Sequence, residues 1–541
     1  MRACNLVPMQ QGAGGQTGPS TPSLAYRLVR RFYRFLTNVW FREVNIVDEE
    51  NIPPEGGVLY ITWHPSGLID PMLMTSIVPG KLTTVAKHTL FQIPVLGRLL
   101  RASGVVPIER PQDVKDSELA QERNRAQLNI VSSTLASGGS VLIFPEGMSH
   151  ADASVRRIRS GAARILLNAA REANERGLPQ PKVVPVGLHY SESQRFRERA
   201  AVVLERVMDL PPLPDGLGDL EEQHRHDRAW VSEVTDLFSV ELQRANHSKT
   251  SWAERTMIWR GRSLVYAEKQ RQTGVELKKP SFAASVLAAR RLRAGWEFMA
   301  EHEPSSTSAL AERCESHFGI LEQRGITPYD VDARPEQLSL SGFIKHLGLW
   351  IWAFAWMFGL VTWSAVAGNY VPYKGNGVLS RALKRRDIDA SAVGTMKVVS
   401  AVVMFPLWWV AASAFITWSL LSAQSPVNEL LLSHWLLLEI TKLPALGVFI
   451  VFLLWWPVSA RLHLKLYANL IRSYQNLMRW KIWKDDSKDW ALLVEEQRRL
   501  SAELVNLGAG LVLPGDPDWK APPSGQDDAA SVRFRQPQDA G

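Results

Sequence analysis

A histidine and an aspartate lie close together after a short apolar segment near the start of the chain. The apolar run Val58–Thr62 leads into a Gly/Pro-containing turn that holds His64 and Asp70. Imidazole is an effective base near neutral pH, and a carboxylate on its second nitrogen fixes the tautomer and stabilises the imidazolium. His64 and Asp70 could therefore remove the proton of a substrate hydroxyl. Alternatively, His64 is a structural turn residue and Asp70 a helix N-cap.

Two further polar side chains follow strand-like segments. Val141–Phe144 is followed by Pro145-Glu146-Gly147, and Val105–Ile108 by Glu109-Arg110. Glu146 is then a substrate-contacting or structural acid, or a solvated turn residue. An arginine just past a strand suits bidentate binding of a phosphate, although an ion pair with a nearby carboxylate explains Arg110 equally well.

The pattern from Val44 to about Leu210 alternates short apolar runs with helical stretches. Val183–Leu188 is a fourth predicted strand, and Glu118–Ala136 and Arg159–Arg176 are predicted helices. This alternation predicts an α/β domain with a mostly parallel central sheet and flanking helices. Ligands bind at the ends of the strands of such sheets, where the polar residues lie.

The polar blocks, taken in order, resemble those of the glycerolipid acyltransferase family (glycerol-3-phosphate and lysophosphatidate acyltransferases). The resemblance covers roughly residues 40–210. It rests on the His-to-Asp block, the Gly104–Arg110 block, the Phe-Pro-Glu-Gly block and the apolar block Val184–Leu188 with its central proline. The segment Val85–Phe91, which contains Lys87, is similar to a further family segment.

Two departures from the usual family pattern point to one branch. The His-to-Asp spacing is one residue longer than usual, and Gly67 is a position that could absorb the extra residue. The third block continues as Met148-Ser149-His150, so its usual arginine is absent, and Arg156, Arg157 and Arg159 are the residues that could supply the charge. Both features resemble the eukaryotic-type glycerol-3-phosphate/dihydroxyacetone-phosphate acyltransferases.

The resemblance implies transfer of a fatty acyl group from acyl-CoA or acyl-carrier protein to a hydroxyl of glycerol 3-phosphate or dihydroxyacetone phosphate. It implies that His64 is the base and Asp70 its partner. The substrate-binding residues that it implies are Lys87, Arg110, Glu146, Gly147 and Arg159. No metal and no cofactor beyond the acyl carrier is expected. The alternatives are a lysophosphatidate or other lysophospholipid acceptor, and a non-catalytic membrane scaffold built on a decayed acyltransferase domain.

Composition and charge favour a membrane and an anionic substrate as partners. The formal net charge is +8, and 13 of the 20 tryptophans lie between Trp350 and Trp490, as expected of membrane-interface anchors. The basic residues cluster beside apolar segments and match no nucleic-acid module, so nucleic-acid binding is disfavoured. The two cysteines, Cys4 and Cys314, indicate neither a disulfide framework nor a metal site.

Three uncharged stretches predict a membrane region at 341–460 with two or three hydrophobic segments. They are Leu347–Tyr373, Val398–Leu421 and Leu443–Ala460. The distribution of Lys and Arg fits a cytoplasmic catalytic domain if the first stretch is re-entrant and the other two form a hairpin. We therefore expect an integral membrane protein whose catalytic domain lies on the cytoplasmic face.

The remaining boundaries follow from composition and periodicity. Residues 23–43 form an amphipathic, arginine-rich helix that lies on an anionic membrane or docks on the next domain. The acyltransferase domain is 44–212. The other predicted segments are disordered tails at 1–22 and 514–541, a helical extension at 213–340 and a basic amphipathic helical region at 461–513.

Overall fold

The computed structural model describes residues 22–93, 96–109, 117–192, 195–214, 219–249, 251–273, 280–331, 339–357, 359–385, 390–485 and 487–536. These residues form two compact units. The first unit contains the described residues up to 318, together with 390–394 and 500–536. The second contains those of 319–385 and 395–499.

A seven-stranded sheet forms the centre of the first unit. Its strands are β1 (Phe41–Val47), β2 (Val58–Thr62), β3 (Leu82–Lys87), β4 (Val105–Ile108), β5 (Ser140–Ile143), β6 (Lys182–Tyr190) and β7 (Glu198–Leu204). The order across the sheet is β1-β7-β6-β2-β5-β3-β4, and only the β6–β7 pair is antiparallel. The predicted mostly parallel sheet is therefore confirmed. The predicted strands Val58–Thr62 and Val105–Ile108 match β2 and β4, whereas β1, β3 and β7 were not predicted.

Helices flank this sheet. They are α1 (Leu24–Trp40), α2 (Ile69–Ile77), α3 (Leu96–Ala102), α4 (Ser117–Ala136), α5 (Gly161–Glu175), α6 (Leu220–Ala245), α7 (Trp252–Thr273) and α8 (Phe282–His302). Helix α9 (Pro304–Gln323) follows in the chain, and α10 (Pro328–Val331) belongs to the second unit. Helices α4, α6 and α8 pack directly on strands. All five residues of β2 are buried, because a central parallel strand is covered on both faces.

Helix α1 docks on the domain built around the sheet through a face that its apolar pattern identified only in part. Its buried residues include Tyr26, Val29 and Tyr33, whereas Leu28 and Phe35, which belong to the predicted apolar face, are exposed. Two of its arginines donate hydrogen bonds to backbone carbonyls at the carboxyl end of α2 and just beyond it. These arginines, Arg30 and Arg34, satisfy carbonyls that the end of a helix leaves unpaired. Docking on the domain therefore accounts for the buried face of α1.

The C-terminal segment was expected to be disordered from residue 514, and this expectation is wrong for the described residues up to 536. Helix α17 (Ser487–Ala509) is followed by β8 (Leu511–Val512) and β9 (Arg533–Phe534), which pair antiparallel. Val532 packs with Met299 of α8, and the buried carboxylate of Asp528 accepts two hydrogen bonds from Arg290. The Pro, Gly and Asp content that suggests disorder here is compatible with an ordered segment, since turns and buried ion pairs use the same residues.

The second unit is helical. It is built from α11 (Leu340–Met357), α12 (Leu360–Arg385), α13 (Ala390–Leu421), α14 (Asn428–Leu432), α15 (Trp435–Ile440) and α16 (Ala445–Asp485). Two segments are long and apolar enough to cross a membrane: Val393–Leu421 and Ala445–Ile482. A core helix of a soluble protein would bury such a surface, but Leu407 is 66% exposed and Leu454 is 64% exposed. These faces therefore have the character of lipid-facing surfaces.

Helices α11 and α12 run along α16 in one direction. The ring of Phe343 packs on that of Trp480, and His346 contacts Asn476. Further along the chain Thr362 contacts His463, and Asn369 contacts the backbone of Trp456. As the residue number on α11–α12 rises, the partner number on α16 falls throughout. The expected re-entrant turn within 347–373 is therefore wrong. Pro372 lies within α12, whose helix continues past it.

The ion pair of Asp528 makes a prediction about the C-terminal segment. Burial raises the pKa of Asp528, but Arg290 and neighbouring arginines lower it further, so the carboxyl is charged. Asp528→Ala leaves buried guanidinium groups without this partner and should lower the free energy of unfolding by about 3–5 kcal/mol. Urea unfolding in detergent, with hydrogen exchange of residues 511–536, measures the effect. Asp518→Ala, which removes an exposed acid, is the control, and equal stability of the two variants would contradict the prediction.

Candidate active site

The carboxyl ends of three adjacent strands bring the predicted polar residues together. Strand β2 lies between β5 and β6 and is parallel to both. The turn after β2 carries His64, the turn after β5 carries Glu146, and β6 ends at Tyr190. Neighbouring parallel strands end at the same edge of a sheet, so the strand order alone brings these side chains close together.

The predicted pair is formed. His64 Nδ1 lies 2.8 Å from Asp70 Oδ2, and Asp70 is fully buried while the histidine side chain keeps 18% of its surface exposed. The carboxylate accepts the Nδ1 proton, so that Nε2 carries the lone pair of the neutral ring. The ring stacks on Phe144 with centroids 4.0 Å apart, which limits its rotation. This geometry is that of a histidine oriented to act as a general base.

Asp70 is held by two further donors. The backbone N–H of Ser66 donates to Oδ2 at 2.8 Å, and the hydroxyl of Tyr190 donates to Oδ1 at 2.7 Å. Burial and the Asp70 carboxylate raise the pKa of Tyr190 well above its ordinary value, so the phenol stays protonated and remains a donor. Three donors offset the cost of burying the carboxylate, and they fix both of its oxygens.

Gly67 accommodates the extra residue between His64 and Asp70. Its φ is +52°, a left-handed conformation that glycine adopts without steric cost. The N–H of Asp70 then donates to the carbonyl of Gly67, and α2 begins at Ile69 with Asp70 in its first turn. The local absorption expected from the sequence is therefore present.

Glu146 is a buried structural acid in this arrangement. It is 3% exposed, and its carboxylate accepts hydrogen bonds from the backbone N–H groups of His64 and Arg156 at 2.9 and 2.7 Å. His150 is fully buried and lies 2.6 Å from the same carboxylate. Because His150 Nδ1 accepts from the backbone N–H of Asp152, its Nε2 is the donor to Glu146. Of the alternatives for Glu146, the geometry favours the structural acid.

The 146–150 turn makes hydrogen bonds to both the N–H and the carbonyl of His64. Glu146 accepts a hydrogen bond from the N–H of His64, and the N–H of His150 donates to the carbonyl of His64 at 3.0 Å. A pair of contacts to one peptide segment fixes the position of the histidine independently of its side chain. His150 is therefore one of the residues that hold the backbone of His64 in place. It lies in the block where the usual family arginine is absent.

The predicted substrate-binding residues have different outcomes. Arg159 is exposed and lies against Gly147, where an added Cβ would be 3.1 Å from its Cδ and Nε atoms. Gly147 has φ +73°, so this position is suited to glycine on both grounds. Lys87 ends β3, on the far side of β5 from β2. Arg110 lies outside the described residues.

Residues 43–189 match the family model described as Acyltransferase. This part of the chain is therefore similar to an acyltransferase domain. The matched range contains the four blocks from which the resemblance was inferred, and it ends one residue before Tyr190. The described parts of the chain hold no group of three or more His, Cys, Asp or Glu side chains suited to a metal ion. The absence of a metal from the reaction remains a prediction.

Curated relatives cover the same domain. A 1-acyl-sn-glycerol-3-phosphate acyltransferase of Chlamydomonas reinhardtii is 30% identical over 28% of this chain and 45% of its own length. The chloroplastic enzyme of that name from Arabidopsis thaliana is 28% identical over 25% of this chain and 37% of its own. The chain thus spans less than half the length of these relatives. Their names do not support the narrower glycerol-3-phosphate branch.

A solved structure shows a weaker likeness. The 1-acyl-sn-glycerophosphate acyltransferase PlsC of Thermotoga maritima is 20% identical, with 39% of this chain and 78% of that chain covered. The TM-score of 0.26 is too low to support an inference from this acyltransferase structure.

Tyr190 was not among the predicted site residues, although its position at the end of a predicted strand could have indicated a role. The predicted strand Val183–Leu188 ends two residues before Tyr190, and polar residues at the ends of parallel strands face the ligand edge of a sheet. The hydrogen bond to Asp70 spans 120 residues of sequence, so only the adjacency of β2 and β6 reveals it.

Tyr190→Phe tests the positioning role of this hydroxyl. Loss of one charge-assisted hydrogen bond should lower kcat roughly tenfold with little change in KM. Without the donor, the Asp70 carboxylate stabilises the His64 imidazolium more strongly, so the acid limb of the pH–rate profile should move to higher pH. Tyr33→Phe removes another buried phenol, on α1, and should leave the profile in place. A Tyr190→Phe enzyme with a wild-type rate and profile would exclude the role.

Proposed function

We propose that this chain is a membrane-bound O-acyltransferase that transfers a fatty acyl group from a thioester to the free hydroxyl of a lysophosphatidate. The observation that carries the proposal is the His64–Asp70 pair, held by Tyr190 and Ser66 at an edge of the sheet. The names of the relatives favour lysophosphatidate as acceptor over glycerol 3-phosphate.

In the proposed reaction the neutral His64 removes a proton at Nε2. The hydroxyl of the acceptor gives up this proton as its oxygen attacks the thioester carbonyl carbon. The carbon–sulfur bond then breaks, and the imidazolium returns the proton to the departing thiolate. Asp70 stabilises the imidazolium through Nδ1 during this exchange. The products are an ester and a free thiol, and the proposal requires no metal and no covalent enzyme intermediate.

Arg159 is the described residue best placed to hold the acceptor phosphate. Its exposed guanidinium lies over Gly147, beside the turn whose Glu146 positions His64. A guanidinium matches phosphate geometry bidentately, and Gly147 leaves room for the arginine side chain to lie against the turn. Lys87 and Arg110 remain proposed contacts on the strength of the resemblance.

We further propose that α13 and α16 anchor the protein in the bilayer. Their exposed apolar segments support the anchoring. A lysophospholipid acceptor and its product both reside in a bilayer, so an anchored enzyme meets its substrate without extracting it from the lipid.

A second acceptor, glycerol 3-phosphate, is favoured by a specific feature of the site. The longer His-to-Asp spacing and His150 in the third block are the two departures that resemble the glycerol-3-phosphate branch, and Gly67 and the Glu146–His150 contact accommodate both. The acceptor assay must therefore include both compounds.

The proposal predicts acceptor-dependent thiol release. Purified protein in detergent, given palmitoyl-CoA, should release free thiol with lysophosphatidate and much less with glycerol 3-phosphate, dihydroxyacetone phosphate or no acceptor. His64→Ala should lower the rate by about a hundredfold to ten-thousandfold, since a general base is lost. His302→Ala, which removes an exposed histidine of α8, is the matched control.

The outcomes separate the alternatives. A rate that depends on glycerol 3-phosphate would replace the proposed acceptor with the second one. A His64→Ala enzyme that keeps its rate would overturn the mechanism. A folded protein that releases no thiol with any acceptor, from either acyl-CoA or acyl-carrier protein, would favour the non-catalytic scaffold.

A further inference from the structure

A large cavity lies beside the turn after β5 in the first unit. Its volume is about 1140 Å³, and its walls come from the turn after β5, the loop 156–160, the start of α5 and the middle of α6. Helix α6 lies beyond the residues that match the family model. Five arginines line the cavity: Arg156, Arg157, Arg159, Arg164 and Arg228.

Most of these arginines lack a carboxylate partner. Arg156 pairs with Asp152, but no acid among the described residues pairs with Arg157, Arg159, Arg164 or Arg228. A set of unpaired guanidinium groups around one cavity creates a positive potential that attracts anions.

The acids in the cavity wall do not neutralise this charge. Asp227 is bound to Arg171 through both carboxylate oxygens, and Glu146 is buried and bound to the backbone N–H of His64. Asp236, exposed on α6, is the remaining acid that faces the cavity. The unpaired arginines outnumber it, so the cavity is positively charged.

The N-terminus of α5 adds to the same field. This helix has 15 residues and begins at Gly161, with Ser160 and Arg164 both in the cavity wall. The Ser160 side chain makes no capping hydrogen bond, and the first turn holds no acidic residue. Unpaired N–H groups and the positive end of the helix dipole favour a bound anion.

We propose that this cavity binds the 3′-phosphate and diphosphate groups of an acyl-CoA donor, with Arg157, Arg164 and Arg228 contacting the phosphate oxygens. The inference rests on the proposed acyl transfer and deepens it, because it identifies the donor as a CoA thioester rather than an acyl-carrier protein. Guanidinium groups are well matched to phosphate oxygens. The thioester arm then extends toward the turn at Glu146 and Gly147, which adjoins the cavity.

The size and charge of the cavity favour the donor over the acceptor. A glycerol phosphate presents one phosphate group, for which Arg159 beside Gly147 suffices. A carrier protein presents a lone phosphodiester on its prosthetic arm. Further unpaired arginines on α6 and α5, in a cavity of this volume, fit a ligand with several phosphates in one compact nucleotide.

The test measures binding of adenosine 3′,5′-bisphosphate, which represents the nucleotide end of CoA, to full-length protein in detergent by calorimetry. Arg164→Gln/Arg228→Gln removes one charge from each wall of the cavity. The Kd of the probe should rise roughly tenfold or more, because charge-assisted hydrogen bonds are lost. The KM for palmitoyl-CoA should rise by a similar factor with kcat little changed, and added salt should weaken binding to the wild type.

Arg176→Gln is the matched control. Arg176 is an exposed arginine at the opposite end of α5, paired with Glu172 and absent from the cavity wall. It should leave both the Kd and the KM unchanged. The substituted side chains are exposed, so thermal unfolding of all variants should match the wild type.

Two results would overturn the proposal. An unchanged Kd and an unchanged KM for palmitoyl-CoA in the double variant would show that the cavity holds no donor phosphates. A higher KM for lysophosphatidate with unchanged probe binding would assign the cavity to the acceptor. Probe binding requires no turnover, so this inference can fail while acyl transfer stands, and an inactive protein that binds the probe would count against the proposed function alone.

Discussion

The buried carboxylate of Asp70 is the group on which the rest of the active site depends. A fully buried acid is unfavourable unless donors surround it, and Asp70 has the ring N–H of His64, the N–H of Ser66 and the hydroxyl of Tyr190. The three donors come from two parts of the local structure. The strand β6 supplies one, the turn after β2 supplies the others, and α2 carries the carboxylate itself.

Support for this arrangement extends outward in layers. Arginines of α1 bind carbonyls at the carboxyl end of α2 and just beyond it. Glu146 and His150, from the turn after β5, hold the backbone of His64. None of these residues needs to touch a substrate. They restrict the movement of a base whose value depends on a geometry that is in place before the substrate binds.

The sequence was most informative where short-range pattern and chemistry coincide. A fully buried parallel strand reads as an apolar run, so β2 was predicted, and the His64–Asp70 pair follows from residue types within one turn. The role of Tyr190 depends on which strands are neighbours, and a single sequence does not determine that. The docking face of α1 was only partly predictable, because tyrosines and arginines contribute to it while the apolar residues Leu28 and Phe35 stay exposed.

The two corrections have a similar cause. Residues 514–536 carry the polar composition of a disordered tail, yet buried arginines of α8 bind their acids and order the segment. The distribution of Lys and Arg suggested a reversal within 347–373, but packing along α16 keeps the chain advancing in one direction. In both cases a long-range contact outweighs a local propensity.

The central claim is that His64 and Asp70 act as one unit in which the carboxylate works only through the imidazole. A double-mutant cycle of His64→Ala, Asp70→Asn and the double variant, read as kcat/KM for acyl transfer, tests this most directly. If the two act as a unit, the double variant will be no slower than His64→Ala alone. If the losses of the two single variants multiply in the double variant, Asp70 acts independently of His64, and the account of the active site is wrong.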